Sequence, residues 1–152
     1  MLVDSHCHLS YEGLCEQVPG VLERAREAGV SYMLCICSRL PEFEIVSQVA
    51  DNNRNVFCSV GIHPHESGKE PEVDAETLVK LAEHPKTIGI GETGLDFYYD
   101  NSPRDIQERN FRTHIQAARK TQLPLIIHTR DADQKTIEIL VIVQCQQPPV
   151  LY

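Results

Sequence analysis

The sequence predicts an α/β protein of the (β/α)8 TIM-barrel type, with about the first five β/α units present. Two observations carry that reading. Apolar strand-like runs alternate with amphipathic helical stretches along the chain, the pattern of a parallel sheet with crossover helices. Several of those runs also end in histidine or glutamate, at the strand ends where a barrel gathers its functional groups.

The first run, Leu2–His8, places Asp4, His6 and His8 at alternate positions. On a strand these three share one face, and Val3, Ser5 and Cys7 share the other. Two histidines at i and i+2 converge on one point, as two ligands of a single metal ion must. His-x-His alone is a weak signal; the later runs give it weight. A helix follows over Pro19–Ala28, with proline in its first turn and Gly29 closing it. Ser31–Ser38 reads as the second strand, and Pro41 to about Ala50 as a helix with Phe43, Val46 and Val49 on one stripe. Val56–Ile62 is the third strand, and it runs into His63-Pro64-His65. After the polar loop Glu66–Val73, Asp74 is placed to cap a short helix that points Leu78 and Leu81 inward and ends at Pro85. Thr87–Glu92 is the fourth strand. Arg104–Gln122 is the longest helix, with Ile106, Phe111, Ile115 and Ala118 at helical spacing. Pro124–His128 is the fifth strand, and Asp131 is placed to cap a last helix to about Val143.

Five such units fit either an open doubly wound sheet or part of a barrel. The first loop, Leu9–Gly13, is not the glycine-rich turn of a doubly wound phosphate site. The barrel has its site where His6, His8, His63, Glu92 and His128 fall, at the C-terminal strand ends.

The 152 residues read as one domain, 1–152, with 41% hydrophobic and 24% charged residues, ordinary values for a soluble globular protein. No stretch approaches the roughly 18 apolar residues of a membrane span. Asp4, His6 and His8 break the apolar N-terminus, so no signal peptide is expected. The expected compartment is the cytoplasm, or the nucleus of a eukaryotic cell. The six cysteines include no C-x-x-C pair and read as reduced, mostly buried thiols. A formal net charge of −8 argues against a long basic groove along a nucleic acid. It leaves room for an enzyme that holds one phosphate through metal ions. No obligate protein partner is evident.

His6, His8, Glu92 and His128 form a nitrogen and oxygen donor set suited to Zn, Mn, Ni, Co or Mg. A carboxylate in the middle of the set can bridge two ions. Two ions about 3.5–4 Å apart activate a water and stabilise both oxygens of a displacement at phosphorus. Ligation needs neutral imidazoles and an ionised carboxylate, so activity is expected to fall in acid. Asp4, on the ligand face, and Asp96 are expected to support ligand histidines rather than touch an ion. Arg130 is placed to fork onto a phosphate, and Tyr98 and Tyr99 to stack on a base. His65 reads as a surface residue or as one that supports a ligand, and His84 and His114 read as structural or surface residues.

Four motifs in order, VDSHCH, VGIHPH, GIGETGLDFYYD and PLIIHTRDA, resemble the signatures of the TatD family of metal-dependent deoxyribonucleases. The resemblance covers about Met1 to Leu140. It implies the distorted barrel of the metal-dependent hydrolases, two divalent ions (Mg, Mn or Zn), and hydrolysis of phosphodiester bonds of DNA from the 3′ end. It further implies that His6 and His8 ligate one ion, that Glu92 is the bridging catalytic carboxylate, and that His128 ligates the second ion. His63 would face the substrate phosphate. The family pattern continues with a ligand histidine after a sixth strand and a later aspartate that binds metal and the attacking water. Residues 141–152, VIVQCQQPPVLY, contain neither and read as a divergent tail, replaced or prematurely ended. Little nuclease activity is therefore expected of these 152 residues. Two alternatives stay open: a non-catalytic isoform or interaction fragment, and a related hydrolase acting on amides or esters.

Overall fold

A computed structural model describes residues 1–145. Five parallel strands, β1 (Leu2–Cys7), β2 (Val30–Cys35), β3 (Val56–Val60), β4 (Thr87–Asp96) and β5 (Leu125–Arg130), lie in the order β1-β2-β3-β4-β5. The sheet curls into a half-barrel, with register shifts at three of its four seams. Helices α1 (Val18–Glu27), α2 (Phe43–Asp51), α3 (Ala75–Ala82), α4 (Arg104–Thr121) and α5 (Asp133–Cys145) fill the expected intervals. The anticipated fold class holds. Part of the expected divergent tail lies in α5, and residues 146–152 lie outside the described residues.

Local chemistry accounts for the helix ends. Asp74 Oδ1 accepts the Thr77 N–H at 2.8 Å, the expected N-cap of α3. Gly29, at φ +86°, takes the left-handed turn after α1 that a side chain would strain. Asp131 does not cap α5: that helix begins at Asp133, and Asp131 sits in the preceding turn at φ +51°.

The main core lies between sheet and helices. It joins Met33, Cys35, Val56, Cys58, Val60 and Ile90 to Val46 of α2 and Leu78 of α3. Each fully buried aliphatic chain contributes roughly 1.5–3 kcal/mol. A second cluster, Leu95, Phe111, Ile115, Ala132 and Ile139, seats α4 and α5 against the far end of the sheet. Among the described residues β1 and β5 are the sheet edges, with Leu2, Val3 and Ile127 exposed.

Strand β4 runs four residues beyond the expected end at Glu92. Thr93–Asp96 pair with Ile127–Arg130, and Gly94 permits this because a Cβ there would collide with the His128 carbonyl oxygen. Its φ of +141° is also one that side-chain-bearing residues rarely adopt. Strand β5 likewise runs past its expected end at His128 to Arg130, whereas β1, β2 and β3 stop short, so that His8 and His63 stand in the loops just past β1 and β3.

His114, in α4, is fully buried and neutral. Its Nε2 accepts the Ile62 N–H at 3.0 Å and its Nδ1 donates to the Asn110 carbonyl at 2.8 Å. Burial pushes its pKa from 6.5 down to about 4. Below pH 6.5 the unfolded chain takes up a proton that the folded chain refuses. This contribution to stability is fully present above about pH 6.5 and falls by about 1.4 kcal/mol per pH unit down to about pH 4. Urea melts at pH 7 and pH 5 should show a smaller loss of stability in His114→Gln than in the parent. Equal losses would contradict this assignment.

Candidate metal centre

Strand ends and the loops that follow them bring seven of the eight expected site residues to one open cavity of about 460 Å³. His6, His8, His63, Glu92, His128 and Arg130 line it, and so do Asp96, Tyr11 and Arg39. Asp4 does not. It accepts the backbone N–H of His6 at 3.1 Å, so it ties down that residue's peptide and not its ring.

Glu92, 9% exposed, stands in the middle. Its Oε2 lies 3.3 Å from His6 Nε2, and its Oε1 lies 3.3 Å from His128 Nδ1 and 4.0 Å from His63 Nε2. Each oxygen thus faces a different histidine group. Candidate donor atoms of His6, His8 and Glu92 lie within 4.8 Å of one another, and so do those of His63, Glu92 and His128. Burial would raise the Glu92 pKa, but the His128 hydrogen bond and the charges of His63 and His6 together hold it below the usual range. It is therefore ionised at neutral pH.

His8 ends the first group. Its ring stacks on Tyr11, centroids 4.5 Å apart, and Tyr11 is steadied by its hydroxyl 3.3 Å from Ser38 Oγ. Burial and the neighbouring His6 lower the His8 pKa, which keeps the imidazole neutral. Its Nδ1 is buried without a hydrogen-bond partner. A metal–nitrogen bond of about 2.1 Å sets neighbouring donors roughly 3.0–3.4 Å apart, and the His6–Glu92 separation falls in that range. The donor set fits a divalent ion.

In the second group hydrogen bonds fix the tautomers. Asp96 Oδ2 lies 3.1 Å from His128 Nε2. An ionised carboxylate only accepts, so Nε2 carries a proton toward Asp96; Nδ1 faces Glu92 Oε1 at 3.3 Å, and the two carboxylates together raise the His128 pKa, so a metal ion at Nδ1 would compete with a proton there. His63 is the reverse. Its Nδ1 accepts the backbone N–H of His65 at 3.1 Å, so the neutral ring carries its proton on Nε2. Burial pushes the His63 pKa down to about 4, and the ring is neutral at pH 7. His63 thus presents an N–H donor, 3.2 Å from His128 Nδ1, the nitrogen that also faces Glu92.

Asp96 is fully buried and accepts the Tyr98 and Tyr99 N–H groups at 3.1 and 2.9 Å. Its Oδ2 is 2.7 Å from His65 Nε2. Burial alone would raise its pKa; the Tyr99 amide and the two imidazole donors outweigh that and hold it down at about 2. Asp96→Asn places an amide where His128 needs an acceptor only. We expect that variant to weaken metal binding about 10–100-fold, measured by calorimetric titration with Mn. An unchanged affinity would show that Asp96 does not orient His128.

Arg130 extends over two aromatic rings, its guanidinium carbon 4.4 Å from the Tyr98 centroid and 4.6 Å from that of Tyr99. Each tyrosine therefore gives a face to the arginine. His65 shares Asp96 with His128, the supporting place that was one of its two expected roles. Two contributors were not anticipated from sequence: Tyr11 packs on His8, and Arg39 reaches the cavity rim beside Glu42, Glu66 and Glu70, at 3.5, 3.7 and 3.5 Å. The aromatic residue three positions after His8 was the only readable signal among them.

The structure thus sets a histidine and carboxylate cluster suited to divalent ions at the C-terminal strand ends of a barrel-type sheet. The family model described as TatD related DNase matches residues 3–151, past Leu140 where the motif resemblance stops, and the chain belongs to that family. It is 38% identical over 142 residues to the uncharacterized metal-dependent hydrolase YcfH of Escherichia coli K12, covering 91% of this chain and 53% of that protein. The 3′-5′ ssDNA/RNA exonuclease TatD of Salmonella typhimurium is 32% identical over 120 residues, 79% of this chain and 46% of that one. Among solved structures, the TatD homolog YjjV of Escherichia coli K12 superposes with a TM-score of 0.86 at 26% identity, covering 93% of this chain and 55% of that one. The chain spans about half the length of the curated relatives it matches. No helix among the described residues is long and apolar enough to cross a membrane.

Proposed function

We propose that this chain carries the metal-binding and phosphate-facing part of a nuclease that hydrolyses phosphodiester bonds, acting on DNA 3′ ends. One observation carries the reading: the two oxygens of Glu92 face two separate histidine groups, the arrangement of a carboxylate shared by two ions. His6, His8 and Glu92 would hold one divalent ion, and Glu92 with His128 would offer donors to a second; Mg, Mn and Zn all suit the set. When bound, such ions supply Lewis acidity toward a phosphoryl oxygen and a water made acidic enough to attack.

The remaining groups act on the phosphate. His63 aims its Nε2–H into the cavity and is neutral, so it donates a hydrogen bond without adding charge. Arg130, stiffened by Tyr98 and Tyr99, supplies a guanidinium fork at the rim. Asp96, with its low pKa, accepts hydrogen bonds and is too weak a base to take a proton from water. The Salmonella relative's name points to single-stranded nucleic acid, which suits an open cavity and a chain too acidic to grip a long duplex.

The test is binding of a short 3′-ended DNA strand to the Mn-loaded chain. Arg130→Ala is expected to weaken it about 10-fold, in line with roughly 1.5 kcal/mol for a hydrogen bond to a charged group, and Arg130→Lys to restore it only in part. A strand with a blocked 3′ end should compete poorly. Equal binding of closed circles and free ends would contradict the 3′-end reading.

A further inference from the structure

His63 stands beyond the end of β3, where no sheet ladder holds the backbone, yet its ring is aimed. The peptide joining Ile62 to His63 is gripped at both polar atoms. Its carbonyl oxygen accepts from Asn110 Nδ2 at 3.1 Å, and its N–H donates to the Ser38 carbonyl at 2.9 Å. One peptide earlier, the Ile62 N–H donates to His114 Nε2 at 3.0 Å. Asn110 and His114 are four residues apart, on one face of α4. The Asn110 carbonyl accepts from His114 Nδ1 at 2.8 Å, which leaves Nε2 of that ring as the acceptor the Ile62 amide needs.

Packing alone does not call for this histidine. Its neighbours on α4, Phe111, Ile115 and Ala118, are apolar and buried, and burying an imidazole costs solvation that an apolar chain would not. What the imidazole adds is an acceptor at a fixed place in the core, one residue before His63.

We propose that His114 and Asn110 are positioning residues that aim the His63 ring and hold it in the Nε2–H tautomer. With the Ile62 and His63 peptides fixed, the His65 N–H reaches His63 Nδ1 at 3.1 Å, and the Nε2–H stays pointed at His128 Nδ1, 3.2 Å away on the cavity wall. Its importance for hydrolysis rests on the proposed role of His63; the geometric claim stands apart from it.

The experiment is long-range proton–nitrogen NMR of the histidine rings in the metal-free chain. The parent should show His63 as a single tautomer protonated at Nε2. Asn110→Ala, and His114→Phe wherever melts show it folded, should lose that signature and give averaged ring-nitrogen signals. The His84 signals should not move, since His84 lies by Asp51 and is not part of this network. His114→Gln should restore the single tautomer, because its amide oxygen can accept the Ile62 N–H. If His114→Phe does not fold, Asn110→Ala decides. An unchanged His63 signature in Asn110→Ala, or a parent His63 protonated at Nδ1, overturns the proposal. If the signature behaves as stated while DNA binding is insensitive to His63→Ala, the role of His63 toward phosphate is what fails.

Discussion

Replacing Glu92 by alanine is expected to weaken divalent-metal binding at both histidine groups at once. Each of its oxygens serves a different group, so the change removes a donor and the negative charge from both. Losing a residue that merely supports a ligand costs 10–100-fold in affinity; losing the shared ligand itself should cost at least about 100-fold at each group. His128→Ala, by contrast, should spare the group of His6 and His8. Titrations of the parent and both variants with Mn or Zn separate these outcomes. A Glu92→Ala chain that keeps one tight ion would show that the carboxylate belongs to a single group.

The second large effect is on turnover. Hydrolysis needs a group to take a proton from the attacking water, a contribution of about 100- to 10,000-fold. Among the described residues no carboxylate at the cavity is free for it. Glu92 lies between the histidines, Asp96 is held at low pKa by its donors, and Glu42 and Glu66 lie against Arg39. These 152 residues should therefore bind metal and DNA yet cut a 3′-labelled oligonucleotide at least about 100-fold more slowly than the Salmonella exonuclease. Glu92-dependent cutting at a comparable rate would mean that another group completes the site.

The strands and helices were legible because burial imposes period on a sequence, but where strands stop was not. Ile36 and Cys37 are as buried as Cys35, so apolar character runs past the end of β2 while the ladder does not; Cys37 N–H turns instead to Ser59 Oγ. In β4 the error had the opposite sign, since the glycine that usually ends a strand here allows β5 to approach.

The ligand candidates could be read from residue type and spacing, because metal chemistry tolerates few side chains. Their tautomers could not. His63 is set by a backbone amide two residues on and by α4 side chains that hold the preceding residue, Ile62, from 48 and 52 residues away in sequence, and no spacing rule encodes contacts of that range. The same is true of His65. Its value comes from Asp96, 31 residues later, and without that partner it looks like any loop histidine.

Because strand order in space equals strand order in the chain, each strand leaving the ribosome needs only its predecessor to pair. His6 and His8 are made first, Glu92 much later and His128 last. At 5–20 residues per second the 120 residues between His8 and His128 take roughly 6–24 s to synthesise. For most of that time the nascent chain holds a bare pair of imidazoles, able to capture a stray ion only loosely. On the proposed ligand set, the shared carboxylate would tighten the pair when β4 docks, and β5 would then bring the last nitrogen. On that ligand set metallation would follow the order of synthesis, with the tightest binding deferred until the sheet that selects its geometry is in place.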